Sequence, residues 1–369
     1  MCRESRQYSF AVVDKVWRKW SNFLISEYLI IGAGVAGLTT AQQLLLQGST
    51  VTVVERGAVG MESSWAGGGI LSPLCPWDYA DEVTRLTSLG AAMFSQWAAG
   101  LHAATGIDPE YAVSGMLVLP PCEQSLARQW CDEHGARLEE KKDGLLLPEV
   151  AQVRNPRLIQ ALRKHVEMLG GRIVEQCEVR GIEAMEGRVQ ALSTLCGEFK
   201  ADRYIVSAGA WSKQVLGQYA LKLDIKPMRG QMLLFKFDTP PLQHIVLQDG
   251  MYLIPRRDGH LLVGSTLEDV GFDKSTTVEA RDSLRQRAEL LLPTLREMPL
   301  VQHWSGLRPA SPRNIPTIGR HPQLENLYIN SGHFRYGVTM APASVEILMN
   351  ELNAAVQPFD VAPYAAGWR

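Results

Sequence analysis

Hydrophobic and polar positions follow recognisable periods from Tyr28 onward. The run YLII predicts a buried strand, VAGLTTAQQLLLQG has helical spacing and ends at Gly48, and TVTVVE predicts a second strand. Strand, glycine-rich turn, helix and strand in this order form a βαβ unit. The chain therefore begins its recognisable structure with the unit that builds parallel sheets.

Strand-to-helix signals recur in the middle of the chain and near its end. Periodicity predicts helices over 82–104, within 125–140, from Asn155 to the glycine pair at 170–171, and over 277–292. It predicts strands over 111–119, 172–194, 225–237, 243–254 and 260–266. We therefore expect an α/β fold, α+β overall, in which a nucleotide-binding domain is assembled from separated pieces around an antiparallel β-sheet substrate domain.

The order of these elements also predicts domain boundaries. The expected segments are 28–82, 148–222 and 310–352 for the nucleotide-binding domain, 83–147 and 223–309 for the substrate domain, and 353–369 for a C-terminal tail. Residues 1–27 contain no apolar core run and no small-residue cleavage site. They predict an N-terminal extension of unassigned role and not a secretory signal.

Composition and charge argue against several classes of protein. The chain has 37 Lys and Arg against 39 Asp and Glu, a formal net charge of −2 that gives no electrostatic support to nucleic-acid binding. No apolar run reaches the roughly 18 residues that a membrane span needs. The 6 cysteines show neither CxxC nor metal-ligand spacing, which predicts a reduced cytoplasmic protein without a metal site.

The turn after the first strand carries the strongest chemical signal. Gly32, Gly34 and Gly37 form a GxGxxG motif between strand and helix, where backbone can approach a pyrophosphate at the helix N-terminus. Glu55 ends the next strand, where its carboxylate can accept hydrogen bonds from ribose hydroxyls and repel a 2′-phosphate. These features predict FAD or NAD over NADP. The alternative is a tight turn with no ligand.

The loop after Glu55 favours FAD over NAD. Ser63, Ser64 and the run Gly67–Gly69 offer hydroxyls and free amides to a second phosphate and to a flavin edge. NAD dehydrogenases usually need no such loop. A flexible loop without ligand contacts is the alternative for this segment.

Segments spread over about residues 28 to 350 carry a family resemblance. In chain order they are YLIIGAGVAG, ESSWAGGGILSPL, VRNPRLIQAL, YIVSAGAWS, MRGQMLLF, YLIPRRDGHLLVGST, WSGLRPASP and SGHFRYGVTMAP. In these segments the chain resembles the glycine oxidase group of the FAD-dependent amino acid oxidoreductases, relatives of D-amino acid oxidase and sarcosine oxidase. The resemblance implies a glutathione-reductase-like FAD-binding Rossmann domain, with the β-sheet substrate domain lying over the flavin.

The resemblance also implies a site for the substrate carboxylate. Tyr252 and Arg308 match the positions that hold it, Arg335 matches a residue of the same pocket, and Leu267 helps to shape that pocket. Arginine suits a carboxylate because its planar fork binds both oxygens and stays charged. From the residues alone, three alternatives stay open: Tyr252 as a cross-strand aromatic, Arg308 as an interdomain ion pair, and Arg335 as a surface charge.

The same resemblance implies which residues contact FAD. They are Gly32, Gly34, Val35, Ala36, Gly37, Glu55, Arg56, Ser63, Ser64, Gly68, Gly69, Ile70, Val179, His333, Phe334, Arg335, Tyr336, Gly337, Val338 and Thr339. A helix starting near Val338 is expected to point its N-terminus at the pyrimidine end of the flavin, where negative charge develops. Tyr336 departs from the Asn that is frequent in this group, which leaves the shape of the pocket there open.

Related amine oxidases attach their flavin through a cysteine near the C-terminal flavin loop or a histidine near the glycine turn. Here the last cysteine is Cys196 and the first histidine is His102, so FAD is expected to bind noncovalently. The flavin takes the electrons and the protein orients the substrate, so we expect no general base.

The reaction that the resemblance implies is oxidation of glycine, with sarcosine and small D-amino acids as further substrates. Hydride transfer from Cα to flavin N5 gives an imine, and dioxygen reoxidises the flavin to give hydrogen peroxide. The imine hydrolyses to glyoxylate and ammonia or is handed to thiazole synthase in thiamine biosynthesis. Relatives imply a homotetramer.

Three other functions remain open at the level of the sequence. A dehydrogenase of the same fold passes its electrons to a quinone or protein acceptor, and peroxide formation distinguishes it from an oxidase. A relative that modifies tRNA needs an RNA-binding surface, which the net charge of −2 does not favour. A flavin-binding protein without turnover has no need of Tyr252, Arg308 and Arg335 together.

Overall fold

The structure, a computed structural model, describes residues 26–368. Its strands are β1 Ser26–Ile31, β2 Val51–Val54, β3 Ala112–Val113, β4 Met116–Val118, β5 Glu139–Lys141, β6 Gly144–Leu147, β7 Ala151–Gln152, β8 Arg172–Val174, β9 Val179–Met185, β10 Arg188–Thr194, β11 Gly197–Phe199, β12 Ala201–Val206, β13 Lys226–Lys236, β14 Ile245–Gln248, β15 Met251–Pro255, β16 His260–Gly264, β17 Gln302–Ala310, β18 Thr317–Arg320 and β19 Leu327–Ser331. Its α-helices are α1 Val35–Leu46, α2 Ser63–Ala66, α3 Asp81–Thr105, α4 Gln124–His134, α5 Asn155–Met168, α6 Ser212–Leu216, α7 Val278–Leu291, α8 Gly337–Leu352 and α9 Ala362–Ala365. Within this range no helix has the length and apolar character that crossing a membrane requires.

A six-stranded sheet carries the predicted βαβ unit. Its strand order is β18-β19-β12-β1-β2-β8, and β1 runs parallel to both β2 and β12. At the carboxyl end of β1, Gly32 N–H donates to Val54 O at 2.8 Å, and Ser207 N–H donates to Ile31 O at 2.8 Å. This edge is where open parallel sheets bind ligands.

The side chains of β1 alternate between two cores. Ile30 packs into the core formed with helices α1, α3, α5 and α8, whereas Leu29 and Ile31 pack toward the three-stranded sheet β9–β10–β11. Burial on both faces explains why YLII is a continuous apolar run. Helix α3 belongs to the first of these cores, although 83–147 is the segment predicted for the substrate domain.

A separate eight-stranded sheet has the order β17-β13-β16-β15-β14-β4-β6-β5. Its pairs are antiparallel except β4 with β14, which are parallel. Helix α7 covers one face, and the other face presents Met232, Tyr252 and Ile254 toward the cofactor half. Trp304 Nε1 donates to Ala66 O at 3.0 Å and ties β17 to α2.

Several element boundaries differ from the predictions. Strand β1 begins at Ser26, two residues before the predicted start, while residues 1–25 of the predicted extension lie outside the described range. The strands predicted over 111–119 and 243–254 are each split in two by a turn, and the helix predicted within 125–140 ends at His134. The division into cofactor and substrate domains stays a prediction.

The largest difference concerns β17, which occupies a segment for which the sequence pattern predicts no strand. Arg308 lies on this strand, opposite Met228 of β13. Because β17 is at the edge of its sheet, Pro309 fits there without breaking a ladder of hydrogen bonds on the outer side.

Candidate active site

A single cleft lies between the carboxyl edge of the parallel sheet and the inner face of the eight-stranded sheet. It encloses about 1960 Å³ of space between atoms, part of it open to solvent. Every residue predicted to contact FAD lines this cleft except Gly37. The predicted substrate residues Tyr252, Arg308 and Arg335 line it as well.

The glycine turn packs too closely for side chains at two of its three glycines. Gly32 has φ +106°, and a Cβ there would lie 2.5 Å from Ser207 O; a Cβ on Gly37 would lie 1.9 Å from Gly32 O. Gly37 therefore sits behind the turn and acts through packing. A Cβ on Gly34 would come within 4 Å of one atom only, Ser64 Oγ at 3.0 Å, so its backbone faces the cleft.

Glu55 is built into the same turn. Its Oε2 accepts a hydrogen bond from Ala33 N–H at 2.8 Å, and its Oε1 accepts one from Gly57 N–H at 3.0 Å. Each carboxylate oxygen keeps further acceptor capacity for a hydroxyl in the cleft. Next to it, the Arg56 guanidinium lies 3.5 Å from the centroid of the Trp211 ring, which fixes a flat wall at this end.

The serines of the second loop already hold protein contacts. Ser64 Oγ accepts a hydrogen bond from Val35 N–H at 2.9 Å, at the N-terminus of α1, and Ser63 Oγ donates to Leu307 O. Asn155 Nδ2 donates to Ser64 O at 2.8 Å and anchors the loop from below. These contacts shape the loop around the cleft.

Arg256 supports this loop from the substrate sheet and escaped the sequence interpretation. Its buried guanidinium donates to Gly68 O at 2.7 Å, to Val153 O at 3.0 Å and to Gln152 Oε1 at 2.6 Å. Burial lowers the pKa of Arg256 to about 10, so it stays charged at neutral pH. The only signal in the sequence was an arginine pair directly after an apolar strand.

The far end of the cleft is lined by Arg308 and Tyr252. Arg308 donates to Ser265 Oγ at 2.6 Å and to Thr266 O at 3.2 Å. Its guanidinium occupies the space over Gly230, where a Cβ would come within 2.1 Å of it. Burial lowers the pKa of Arg308, while the neighbouring Tyr252 hydroxyl acts to raise it.

Arg335 enters the same region from the loop between β19 and α8. Its Nε is buried without a hydrogen-bond partner, and its Cζ lies 5.5 Å from the centroid of the Phe334 ring. Across residues 26–368, neither Arg308 nor Arg335 has a carboxylate within 4 Å. Two guanidinium groups therefore line one end of the cleft without a countercharge.

Several other buried polar atoms in the cleft also lack partners among the described residues. They are Ser207 Oγ, both amide atoms of Asn330, His333 Nε2 and Asn155 Oδ1. Each unmade hydrogen bond costs about 1–3 kcal/mol, so the lining suits a ligand rich in polar groups. Asn330 was missed because it lies within a buried strand, LYINS, that otherwise follows an apolar pattern.

This lining fits FAD. The exposed backbone at Gly34 would hold the pyrophosphate and Glu55 the ribose. The segments 67–70 and 333–339 would flank the flavin, and burial lowers the pKa of His333 to about 4, which keeps that imidazole neutral beside it.

Tyr336 connects the loop before α8 to a distant part of the cleft wall. Its hydroxyl is hydrogen-bonded to the Tyr79 hydroxyl, and the two rings meet edge to face with centroids 5.1 Å apart. Leu74 N–H is a second partner, and burial raises the pKa of Tyr336 well above its ordinary value. Where the resembled group often has Asn, this chain thus has a link to the segment 74–79.

Leu267 is the predicted site residue that the structure does not bring into the cleft. Its side chain is 46% exposed. Its neighbour Thr266 accepts hydrogen bonds from Arg308 through its carbonyl and from Gln231 N–H through its hydroxyl. Leu267 itself is not among the residues that line the cleft, and its role in shaping the pocket stays a prediction.

Comparisons with known proteins agree with this site. The FAD dependent oxidoreductase family matches residues 27–350. Glycine oxidase from Pseudomonas aeruginosa is 42% identical over 92% of this chain and 98% of its own length, and the bifunctional protein ThiO/ThiG of Synechocystis is 32% identical over 88% of this chain and 51% of its own length. The crystal structure of glycine oxidase from Geobacillus kaustophilus superimposes with a TM-score of 0.87 at 25% identity, covering 92% of this chain and 98% of that one. The chain therefore belongs to the FAD dependent oxidoreductase family and is an enzyme that uses FAD.

Proposed function

We propose that this protein is a glycine oxidase that also accepts sarcosine and small D-amino acids. The observation that carries the proposal is the pair of guanidinium groups, Arg308 and Arg335, that line the cleft beside Tyr252 without an acidic partner among the described residues. A buried cation without a countercharge favours binding of an anion. The carboxylate of an amino acid supplies that charge and uses both oxygens of the arginine fork.

Each of the three side chains has a distinct part in holding the substrate. Arg308 is held by Ser265 and Thr266, so its fork is oriented before the carboxylate arrives. The Tyr252 hydroxyl lies beside the Arg308 guanidinium and 3.9 Å from Met232 Sδ, so its proton can be donated to a carboxylate oxygen bound there. Arg335 contributes charge from the opposite loop.

FAD, when bound, supplies the removal of a hydride from the amino acid Cα and the delivery of two electrons to dioxygen as hydrogen peroxide. The overall reaction is glycine, dioxygen and water giving glyoxylate, ammonia and hydrogen peroxide. The contribution of the protein is orientation and exclusion of water, since the cleft lining around Arg308 holds no carboxylate that could act as a base.

The pocket favours small substrates. Gly68 lies against Tyr252 and Ile254, where a Cβ would already come within 2.6 Å of Ile254 Cδ1. An added methylene in such a pocket changes the binding free energy by about 1–3 kcal/mol, so discrimination between glycine, sarcosine and D-alanine is graded.

Three further features belong to the proposal. The ThiO/ThiG name of a relative supports hand-over of the imine to thiazole synthase for thiamine biosynthesis. Assembly as a homotetramer and a cytoplasmic location complete it. The two-domain division is also retained, with α3 moved to the cofactor domain because it packs in that core.

The decisive experiment measures hydrogen peroxide from the FAD-loaded protein with glycine, sarcosine, D-alanine and D-proline in parallel. We expect peroxide in stoichiometric amounts with glyoxylate when glycine is the substrate. Reduction of the flavin by glycine without peroxide would indicate a dehydrogenase, and no reduction by any of the four amines would refute the proposal.

A further inference from the structure

Two cysteines meet at the end of the cleft that is remote from Arg308. Cys177 is 1% exposed and lines the cleft beside Val179, while Cys196 is exposed in the turn between β10 and β11. Cys177 Sγ lies 3.3 Å from Thr194 Oγ1, and Cys196 Sγ lies 3.8 Å from the carbonyl oxygen of Gln176, the residue before Cys177. Neither takes part in the binding of FAD or substrate that we propose above.

The end of the β9–β10 pairing brings the two cysteine-containing segments together. Thr194, the last residue of β10, is opposite Val179, and Leu195 N–H then donates to Glu178 O at 3.0 Å. The hairpin turn between β10 and β11, which contains Cys196, therefore lies against the segment that contains Cys177.

Thr194 holds both cysteines in this arrangement. Its Oγ1 accepts from Cys177 Sγ at 3.3 Å and from Cys196 N–H at 3.0 Å. Cys196 Sγ also lies 3.8 Å from Gln176 O, which keeps it over the segment that contains Cys177. The contact from Cys196 N–H does not depend on the redox state of the thiols, whereas the other two are donated by thiol protons and would be lost when a disulfide forms.

We propose that Cys177 and Cys196 are a dithiol that hydrogen peroxide oxidises to a disulfide. This inference rests on the proposed function, because the proposed reaction releases peroxide within the same molecule. In the first step the exposed Cys196 thiol gives a sulfenic acid and one water. Cys177 then displaces the hydroxyl to form the disulfide and a second water, so two thiols and one peroxide yield one disulfide and two waters.

The order of these steps follows from exposure. Cys196 is open to solvent and meets peroxide first, whereas Cys177 is enclosed and reacts only with its neighbour. The neighbouring Cys177 thiol raises the pKa of Cys196, and Arg172 acts in the opposite direction. A raised pKa keeps the thiolate fraction small at neutral pH, so the oxidation needs peroxide at high local concentration.

The disulfide would act on the cofactor end of the molecule. Residues 177–180 line the cleft, so a bond between Cys177 and Cys196 would fasten the turn between β10 and β11 to the wall that faces the cofactor. The chemical class of the modifier is therefore a peroxide, and the modified element is part of the predicted FAD site.

The test exposes the FAD-loaded full chain to a graded excess of added hydrogen peroxide, alkylates the remaining thiols and maps the peptides by mass spectrometry. We expect a cross-linked peptide that joins residues 177 and 196, reversible by dithiothreitol. Cys177→Ala and Cys196→Ser should each reduce that species at least tenfold, and Cys177→Ala should leave Cys196 as a sulfenic acid that dimedone traps. Cys131→Ser, which removes a buried thiol elsewhere, is the matched control and should leave the cross-link unchanged.

A second arm replaces added peroxide by glycine and dioxygen. Cross-linking in both arms supports the inference and the proposed function together. Cross-linking by added peroxide alone supports the dithiol and counts against glycine oxidation. Oxidation of the wild-type chain that maps to Cys75 and Cys122, or over-oxidation of Cys196 without a link to Cys177, would overturn the inference, and the wild-type map gives this answer even where a variant folds poorly.

Discussion

The two ends of the cleft differ in the hydrogen-bond partners of their buried polar groups. At the glycine turn, Ala33 N–H and Val35 N–H are paired with Glu55 and Ser64. At the substrate end, Arg308 has neutral partners only, and Arg335 Nε has none. These two amides of the turn are paired within the protein, whereas the guanidinium groups at the substrate end have no countercharge among the described residues.

The glycine turn therefore contributes a fixed shape to the cleft, and the substrate end contributes positive charge. A turn whose amides are satisfied internally keeps its form before any ligand binds, and it offers the cofactor a preformed surface. Guanidinium groups held by neutral oxygen atoms keep their full charge for the ligand, since no carboxylate of the protein competes for them. Substitutions at the two ends should therefore fail in different ways.

The largest effect is expected from Arg308→Ala. It should raise the KM for glycine and so lower kcat/KM by about 100- to 1000-fold. The carboxylate of the bound substrate would lose the guanidinium that pairs with it, at a cost of about 3–4 kcal/mol. Bound flavin should be unaffected. Steady-state peroxide assays and the flavin absorbance of the purified protein measure both quantities.

Arg313→Ala is the control for that change, because Arg313 is a surface arginine whose nearest carboxylate, on Glu82, is 3.5 Å away. Its kinetics should match the wild type. Unaltered glycine turnover in the Arg308→Ala enzyme would show that Arg308 does not bind the carboxylate of the substrate.

Gly34→Ala tests the other end. The backbone at Gly34 is extended, with φ −77° and ψ −176°, so alanine is tolerated conformationally, but its methyl group would occupy the cleft 3.0 Å from Ser64 Oγ. We expect FAD affinity to fall about 10- to 100-fold with little change in the KM for glycine of the loaded enzyme, since only the cofactor approaches this backbone.

Gly100→Ala is the matched glycine control, since nothing lies within 4 Å of a Cβ there. Fluorescence titration of apoprotein with FAD measures the affinities. Equal FAD affinity in both variants would show that Gly34 does not approach the cofactor.

His333 makes the stability of the folded protein depend on pH. Burial lowers its folded-state pKa to about 4, below the ordinary value of 6.5. The unfolded chain therefore binds a proton at a pH where the folded chain does not, so stability decreases as pH falls from about 6.5 to about 4. Between pH 7 and pH 5 this contribution is about 2 kcal/mol.

The measurement is urea unfolding of the FAD-loaded protein at the two pH values. His333→Gln should remove about that much of the difference in unfolding free energy between pH 7 and pH 5. If the variant keeps the whole pH dependence of the wild type, His333 is not neutral in the folded protein.

The smallest effect concerns Tyr79 and Tyr336. Tyr336→Phe and Tyr79→Phe each remove one hydroxyl of a shared hydrogen bond, and each should cost about 1 kcal/mol of unfolding free energy. The double variant should cost less than the sum of the two, which a double-mutant cycle in urea measures. Strict additivity would show that the hydroxyls do not interact in solution.

Prediction from sequence was most successful where the signal is local. The βαβ unit and its glycine turn follow from spacing alone, and the placement of Glu55 at the end of β2 follows from counting along that unit. Even here the contacts of Ser63 and Ser64 with Leu307 and Val35 could not be predicted, because they are made by tertiary structure, and the contact of these serines with FAD stays a prediction.

The rest depends on contacts between residues far apart in the chain. Tyr79 and Tyr336 are 257 positions apart, and Arg256 reaches Gly68 across 188 positions. No periodicity encodes such pairs. Leu267 is a different case, since the resemblance places it near the substrate while the residue is 46% exposed and not among those that line the cleft.

The absence of a side chain at Gly230 has an evolutionary consequence. A Cβ there would lie between 2.1 and 2.3 Å from three atoms of the Arg308 guanidinium, so a side chain at 230 would displace the guanidinium from this position. The two positions, on neighbouring strands, are therefore expected to vary together among homologues. A lineage that keeps amino acid carboxylates as substrates is expected to keep glycine at 230, and this constraint limits the paths by which the fold acquires new substrates.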